Sequence, residues 1–233
     1  MIVNILLCDT FPGLFPKTIP SYVSMFDRLF KSVEADTEIR VFNAHQGELP
    51  QTLHFNEIYL IGGCRLSAYD DVAWIKQLIG WIQQAYKVKV KLIGICFGHQ
   101  IIAQALGGKV AKSPKGWGVG IRKSVLTDDE AITYFPDKEM RLLYNHHDQM
   151  MELPKRATVV ATGSFCKYDS FRISNHVLTF QGHPEYVPEY EEYLILNHAT
   201  DEPESVRNKA LQSLAKSTHQ GQSVASWILN FGK

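Results

Sequence analysis

The chain has 233 residues, of which 45% are hydrophobic and 21% charged, and its 24 basic and 24 acidic side chains cancel. This length and composition suit one sizeable α/β domain with a real hydrophobic core. The balanced charge gives no electrostatic footprint for nucleic acid and indicates no strongly charged partner.

The first part of the chain alternates strand-like apolar runs with segments of helical period. A buried strand is predicted over residues 2–8, a helix in SYVSMFDRLFKSVEA, and a second strand in TEIRVFNA. NEIYLIGG and VKVKLIGI are two further strands, and Asp70 and Asp71 would start the helix between them. The predicted buried stripes of the two helices are Val23, Phe26, Phe30 and Val33, and Val72, Ile75, Ile79 and Ile82. Near-continuous apolar strands between helices predict a parallel sheet covered on both faces.

The pattern loosens between residues 108 and 172 into shorter β-like pieces. These pieces, GVGIRKSVLTD and ATVVATGSF, surround a polar insert, YNHHDQM, and a last strand, HVLTFQGH, follows. We expect an antiparallel or mixed edge of the sheet here. After Pro188 the pattern is helical with breaks near Pro203 and Gly221, which predicts a C-terminal helical appendage.

The four cysteines are Cys8, Cys64, Cys96 and Cys166, and they are far apart in the chain. They form no CxxC pair and no metal-ligand spacing, which favours a reducing compartment and predicts no metal site. The apolar opening MIVNILLCDTFPG lacks a basic region, a cleavage site and the length of a membrane span. We therefore expect a cytoplasmic protein whose first residues form a buried strand.

One cysteine lies where a predicted strand runs into a predicted helix, in KLIGICFGHQIIAQALGG, residues 91–108. Gly94 and Gly98 on either side of Cys96 would allow a sharp turn, as in the nucleophile elbow G-x-S-x-G. The start of a helix favours a thiolate, so Cys96 is a candidate nucleophile. The alternative is a small buried hydrophobic residue, which is what most free cysteines are.

A thiol nucleophile needs a base and a group that orients the base. In TFQGHPEY, His183 follows an apolar strand, and Glu185 lies two positions further on. Pro184 restricts the backbone between them, so the carboxylate would be held against the imidazole. Alone, His-Pro-Glu is more often a surface loop; its placement at a strand end, like that of Cys96, favours a Cys-His-Glu relay.

Backbone N–H groups would stabilise the oxyanion of such a reaction. The N–H of Phe97, at the predicted helix start, is one candidate. Gly63, in the IGGC turn after another strand, is the second. The alternative for Gly62 and Gly63 is an ordinary turn between a strand and a loop.

Together, GICFGHQ, FQGHPEY and the IGG turn resemble the class I glutamine amidotransferase family. The resemblance extends over residues 1–190. It implies a flavodoxin-like three-layer α/β/α sandwich with a mostly parallel central sheet and no cofactor. Residues 191–233 would then be a C-terminal helical extension packed on the same domain.

The resemblance also implies the chemistry. Cys96 would attack the γ-carboxamide of glutamine and form a γ-glutamyl thioester that water hydrolyses to glutamate, with release of ammonia. His183 would take the thiol proton and donate it to the leaving amine, and Glu185 would orient His183. Gln100, at the last position of G-x-C-x-G-x-Q, would contact the substrate.

Within the family, SAYDDVAWIKQLIGWI, KGWGVG and QGHPEY are most similar to the stand-alone branch, which groups relatives of the GMP synthase glutaminase with γ-glutamyl peptidases. Two positions depart from the usual pattern. Cys64 stands where proline is common, and Gly182 stands where a bulky aromatic residue often precedes the histidine. We hypothesise that Gly182 leaves room for a substrate larger than glutamine, such as a γ-glutamyl peptide.

The insert YNHHDQM allows two interpretations. His146, His147 and Asp148 could be metal ligands, but adjacent histidines point apart and no third cluster has ligand spacing. The insert resembles the family's His-x-Asp loop, which lies near the glutaminase site and its partner-facing side. We therefore expect His146 and Asp148 to be structural or interface residues.

Three functions remain open at this point. The leading one is a Cys-His-Glu enzyme that hydrolyses a γ-glutamyl amide and either delivers ammonia to a separate synthetase or cleaves another γ-glutamyl compound. A second is an intracellular-protease-like enzyme, which GHPEY argues against. A third is a silent or partner-gated subunit that binds a synthetase.

Overall fold

The computed structural model describes residues 1–9, 20–197 and 203–232. Eleven strands lie within these residues: β1 Ile2–Leu6, β2 Glu38–Phe42, β3 Ile58–Ile61, β4 Lys91–Ile95, β5 Lys109–Lys112, β6 Gly118–Leu126, β7 Glu139–His146, β8 Asp148–Glu152, β9 Thr158–Gly163, β10 Ser170–Ile173 and β11 Val177–Phe180. The helices there are α1 Tyr22–Lys31, α2 Ala73–Val88, α3 Phe97–Ala105, α4 Asp129–Ile132, α5 Pro188–Asn197, α6 Glu204–Lys216 and α7 Gly221–Asn230, with a short 3₁₀ turn at Ala44–Gln46.

The main sheet has nine strands in the order β2-β1-β3-β4-β11-β10-β9-β6-β7. The first five are parallel to their neighbours, and the remaining pairs are antiparallel. A separate antiparallel pair joins β5 to β8. The predicted fold class is confirmed, and the antiparallel edge lies where the loosened pattern predicted it.

Successive residues of the central strands face opposite sides of the sheet, and each side has its own core. Ile58 and Leu60 of β3 pack into the core that holds α1 and α7. Tyr59 and Ile61 pack into the core that holds α2 and α3. The helices therefore cover both faces of the parallel part of the sheet. The carboxyl ends of these strands lie along the same edge of the sheet.

The start of α1 is set by Ser21, whose hydroxyl accepts the N–H of Ser24. The buried stripe of this helix differs from the predicted one, since Tyr22 belongs to it and Val33 lies beyond the helix, exposed. The full buried set of α1 is Tyr22, Met25, Phe26, Leu29 and Phe30. The stripe thus begins one residue earlier than the periodicity indicated.

Two local predictions were wrong. Asp70 and Asp71 do not start α2: its N-cap is Val72, and the Asp70 carboxylate instead accepts the N–H of Ser67. The segment YNHHDQM is not a loop, because His146 ends β7 and Asp148 begins β8. Cross-strand pairing overrides the polar composition of this segment.

The C-terminal helices begin after the breaks that the sequence indicated, at Pro188, Glu204 and Gly221. Trp227 and Phe231, in and just after α7, are fully buried in the core shared with α1. Helix α6 packs on β6. The division of the chain near residue 190 stays a prediction, and part of it concerns residues outside those described.

In the described parts of the chain, no helix has both the length and the apolar character needed to span a membrane.

Candidate active site

Cys96 forms the turn between β4 and α3. Its backbone has φ 54° and ψ −105°, a conformation that residues other than glycine rarely adopt. A Cβ on Gly94 would lie 2.6 Å from the carbonyl oxygen of Gly98, and a Cβ on Gly98 would overlap the carbonyl oxygen of Ile61. Both positions therefore require glycine, because another part of the backbone lies too close to leave room for a side chain. The strained turn presents the thiol at the edge of the sheet where the parallel strands end.

His183 and Glu185 follow β11, the strand beside β4. Nδ1 of His183 lies 2.7 Å from Oε1 of Glu185, and the two residues are 1% and 2% exposed. The backbone N–H of His183 donates to the carbonyl of Leu143 at 2.7 Å. The ring of Tyr186 stacks on the imidazole with 3.7 Å between centroids. Backbone, carboxylate and ring together fix the orientation of His183.

The electrostatics of this group favour an imidazolium. Burial alone would lower the pKa of His183, but the charges of Glu185 and Cys96, and hydrogen bonds to both, raise it to about 10. His183 is therefore protonated near neutral pH. A positively charged imidazole beside the nucleophile can give its proton to a leaving amine.

The two predicted oxyanion donors differ in their surroundings. Phe97 is the first residue of α3, so its N–H has no partner within the helix. Gly63 lies beside the reactive groups, since a Cβ built on it would be 3.0 Å from Cε1 of His183 and 3.9 Å from Cβ of Cys96. However, its N–H donates to the hydroxyl of Tyr22 at 2.6 Å.

A cavity of about 540 Å³ opens over the thiol. Cys96, His183, Gly63 and Gln100 all line it, whereas Glu185 lies behind the imidazole. The more exposed residues of its lining, here called its outer wall, include Arg65, Tyr69, Lys112, Trp117, His147 and Leu194. Its volume lies in the range of sites that enclose ligands larger than a free amino acid.

Gln100 lines the cavity, but its amide nitrogen is already engaged. Nε2 donates to the carbonyl of Asp148 at 2.8 Å and to Oε1 of Gln181 at 3.1 Å. The same Asp148 carbonyl accepts from Nδ1 of His146 at 2.9 Å. Burial lowers the pKa of His146 to about 3, so this imidazole is neutral. His146 and Asp148 thus connect β7 and β8 to α3, the helix that begins just after Cys96.

The expected free space at Gly182 is absent. A Cβ on this residue would lie 2.7 Å from Cβ of Leu142 and 2.8 Å from the ring of Tyr144. The glycine is needed because β7 packs against the turn before His183. Any room for a large substrate comes from the outer cavity, whose wall includes Cys64, the other departure from the family pattern. Burial raises the pKa of Cys64 to about 12, so this thiol stays neutral.

Sequence reasoning missed the aromatic side chains around the site. Tyr22 and Tyr186 line the cavity next to Gly63 and His183, and Trp117 stacks on His147 further out. Tyr186 was visible in GHPEY, one residue after the candidate carboxylate. Tyr22 lies 41 positions before Gly63, and only the packing of α1 brings the two together.

The described residues contain no group of three or more His, Cys, Asp or Glu side chains placed to hold a metal ion.

Comparison with known proteins gives a consistent result. The family profile described as "Glutamine amidotransferase class-I" matches residues 18–201. Gamma-glutamyl peptidase 3 of Arabidopsis thaliana is 33% identical over 187 residues, covering 77% of this chain and 74% of that protein. One subunit of the glutamine-hydrolysing GMP synthase of Archaeoglobus fulgidus is 32% identical over 100 residues, or 42% of this chain and 54% of that protein.

The fold has close structural neighbours. A crystal structure of a glutamine amidotransferase from Thermotoga maritima superposes with a TM-score of 0.72, covers 98% of this chain and 94% of that chain, and shares 19% sequence identity.

Proposed function

Because the chain belongs to the class-I glutamine amidotransferase family, we propose that it hydrolyses a γ-glutamyl amide through the thiol of Cys96. The observation that carries this proposal is the strained turn at Cys96, whose side chain lines one cavity with His183, the partner of Glu185. Such an arrangement of nucleophile, base and orienting carboxylate is the recurring pattern of covalent acyl transfer.

The reaction would run in two steps. In the first, the Cys96 sulfur attacks the γ-carbonyl carbon, the C–N bond breaks, and the imidazolium of His183 gives its proton to the leaving amine. In the second, water attacks the carbonyl carbon of the γ-glutamyl thioester, neutral His183 takes a proton from this water, and the C–S bond breaks, so that glutamate leaves and Cys96 and the imidazolium return to their starting state. Glu185 holds the Nδ1 proton and stabilises the charged ring in both steps.

The oxyanion of each step would be bound by the N–H groups of Phe97 and Gly63, with Gln100 contacting the substrate. The N–H of Phe97 has the added advantage of the helix start, where the dipole favours negative charge. The two hydrogen bonds described for the Gln100 side chain are donated by its amide nitrogen. The amide oxygen can therefore accept a hydrogen bond from a substrate amine.

Two features support a γ-glutamyl compound larger than glutamine as the substrate. The cavity extends past the thiol to an aromatic and basic wall that includes Trp117 and Lys112. The relative with 33% identity is named a gamma-glutamyl peptidase. In this reading the amine half of the substrate occupies the outer cavity and is released in the first step.

Glutamate release from glutamine and from a panel of γ-glutamyl dipeptides tests the proposal, with Cys96→Ala as the inactive variant. Cys64→Ala is the matched control, because it removes a second thiol from the wall of the same cavity. We expect Cys64→Ala to retain hydrolysis and Cys96→Ala to lose it. Hydrolysis that survives in Cys96→Ala would contradict the proposal.

A second candidate is an amidotransferase subunit that is active only with a synthetase. It is favoured by the similarity to the GMP synthase of Archaeoglobus fulgidus. Preference for glutamine over every dipeptide, or no hydrolysis until a partner is added, would support this candidate. Preference for dipeptides by the isolated chain would exclude it.

A further inference from the structure

Tyr22 occupies the hydrogen bond that one oxyanion donor would need. The N–H of Gly63 donates to the Tyr22 hydroxyl at 2.6 Å, which is short for a bond of this type. A backbone N–H carries a single proton, so this donor serves either the phenol or a substrate oxyanion at full strength, not both.

The peptide between Gly62 and Gly63 is fixed on both sides. The carbonyl of Gly62 accepts the N–H of Gly98 at 3.1 Å, while the N–H of Gly63 points to Tyr22. A Cβ on Gly62 would lie 2.9 Å from Cε1 of Tyr22, so the ring is pressed directly against this turn. Neither group can turn away without moving its neighbour.

Tyr22 is itself held firmly. It is buried, and its ring makes edge-to-face contacts with Phe26 at 5.1 Å and with Tyr186 at 6.2 Å between centroids. Tyr186 in turn stacks on His183. The phenol is therefore a built part of the site rather than a side chain that happens to reach it.

We propose that Tyr22 is a positioning residue that competes for the Gly63 N–H and thereby slows formation of the γ-glutamyl thioester. The inference rests on the proposed function, in which Gly63 supplies an oxyanion donor. At rest the donor is satisfied by the phenol, so the transition state must take the N–H away from it. An enzyme without this hydroxyl would offer a donor that has no acceptor until the oxyanion forms.

Tyr22→Phe keeps the ring and removes the hydroxyl, which accepts the Gly63 N–H and also hydrogen-bonds the Glu185 carboxylate. The matched control is Tyr59→Phe, since the Tyr59 hydroxyl accepts the backbone N–H of His54 at 2.8 Å in the other core, away from the cavity. Both variants leave one N–H without its acceptor, so both are expected to lower the melting temperature. Steady-state kcat and KM with glutamine and with one γ-glutamyl dipeptide are then compared with those of the wild type.

We expect Tyr22→Phe to raise kcat by about three- to tenfold, the size of one neutral hydrogen bond, and Tyr59→Phe to leave it unchanged. A merely structural role for Tyr22 would not raise kcat. An unchanged or lowered kcat in Tyr22→Phe overturns the proposal. If neither the wild type nor Tyr22→Phe cleaves a substrate, the proposed function and the competition both fail. If only Tyr22→Phe cleaves, both are supported.

Discussion

The charge on His183 is set by its two neighbours, and it decides which proton transfer the site can perform. Burial favours the neutral ring, yet Glu185 and Cys96 raise the pKa to about 10. The ring therefore enters the first step as an acid that can protonate the leaving amine. This acid form is fully present well below the pKa and is lost as the pH rises through it.

Glu185→Gln should lower kcat by about 100-fold and move its alkaline limb to lower pH. The physical reason is that a neutral amide no longer stabilises the imidazolium, so the pKa of His183 falls and the acid form disappears earlier. The pH dependence of kcat for glutamate release measures this. Glu189→Gln, an exposed glutamate on α5, is the control. An unshifted alkaline limb in Glu185→Gln would show that another group donates the proton.

The residues that carry the proposed chemistry could be found from sequence because each lies in a local pattern. Cys96 is marked by the glycines two positions away on either side, and His183 by Glu185 two positions later. The local pattern at Gly182 was misread, because the space beside a glycine depends on what packs there, and Leu142 and Tyr144 come from a different strand. Tyr22 carried no local signal at all, since its contact with Gly63 exists only after α1 docks on the sheet.

The approach of α3 to the sheet shapes the turn at Cys96. The N–H of Gly98 donates to the carbonyl of Gly62, and its Cα lies against the backbone of Ile61 at the end of β3. This contact has no room for any side chain. The shape of this turn therefore depends on β3 as well as on β4 and α3, the two elements that Cys96 joins.

Gly98→Ala should destabilise the protein by about 3 kcal/mol or more, because the new Cβ would collide with backbone rather than with a flexible side chain. Gly80→Ala is the matched substitution within α2, where a Cβ meets nothing within 4 Å. It should stabilise by about 0.5–1 kcal/mol through the helical preference of alanine. Urea unfolding compares the two, and a Gly98→Ala protein as stable as the wild type would contradict the predicted packing.

The elements themselves were predictable to different degrees. The breaks before α6 and α7 follow from Pro203 and Gly221, because those residues punctuate a helical pattern. The strands β7 and β8 were obscured by the polar run YNHHDQM. Strand β7 is stabilised by pairing with β6, the strand before it, and β8 by pairing with β5, which lies further away in the sequence. Long-range pairing of this kind leaves little trace in local composition.

Over the whole molecule, buried titratable groups oppose one another as the pH falls. Burial lowers the pKa of His99 and of His146 to about 3, so both are neutral in the fold but take up protons below about pH 6.5 when unfolded. They make stability fall with falling pH. Asp169 acts in the other direction: burial outweighs its hydrogen bonds from Ser124 and Tyr144 and raises its pKa from 3.8 to about 6.

Asp169 therefore binds a proton in the folded protein between about pH 4 and pH 6, where the unfolded chain has already lost it. Ionisation of Asp169 lowers the free energy of unfolding. This loss of stability is absent below the window and complete above it. Asp169→Asn removes this contribution to the pH dependence of stability, so that it no longer offsets the contributions of His99 and His146. The free energy of unfolding should then rise with pH more steeply than in the wild type, by up to about 1.4 kcal/mol per pH unit within the window.

Urea unfolding at several pH values measures both slopes, with Asp137→Asn, at an exposed position, as the control. Equal slopes in Asp169→Asn and the wild type would mean that the buried carboxyl titrates at an ordinary pKa and that Ser124 and Tyr144 offset its burial in full.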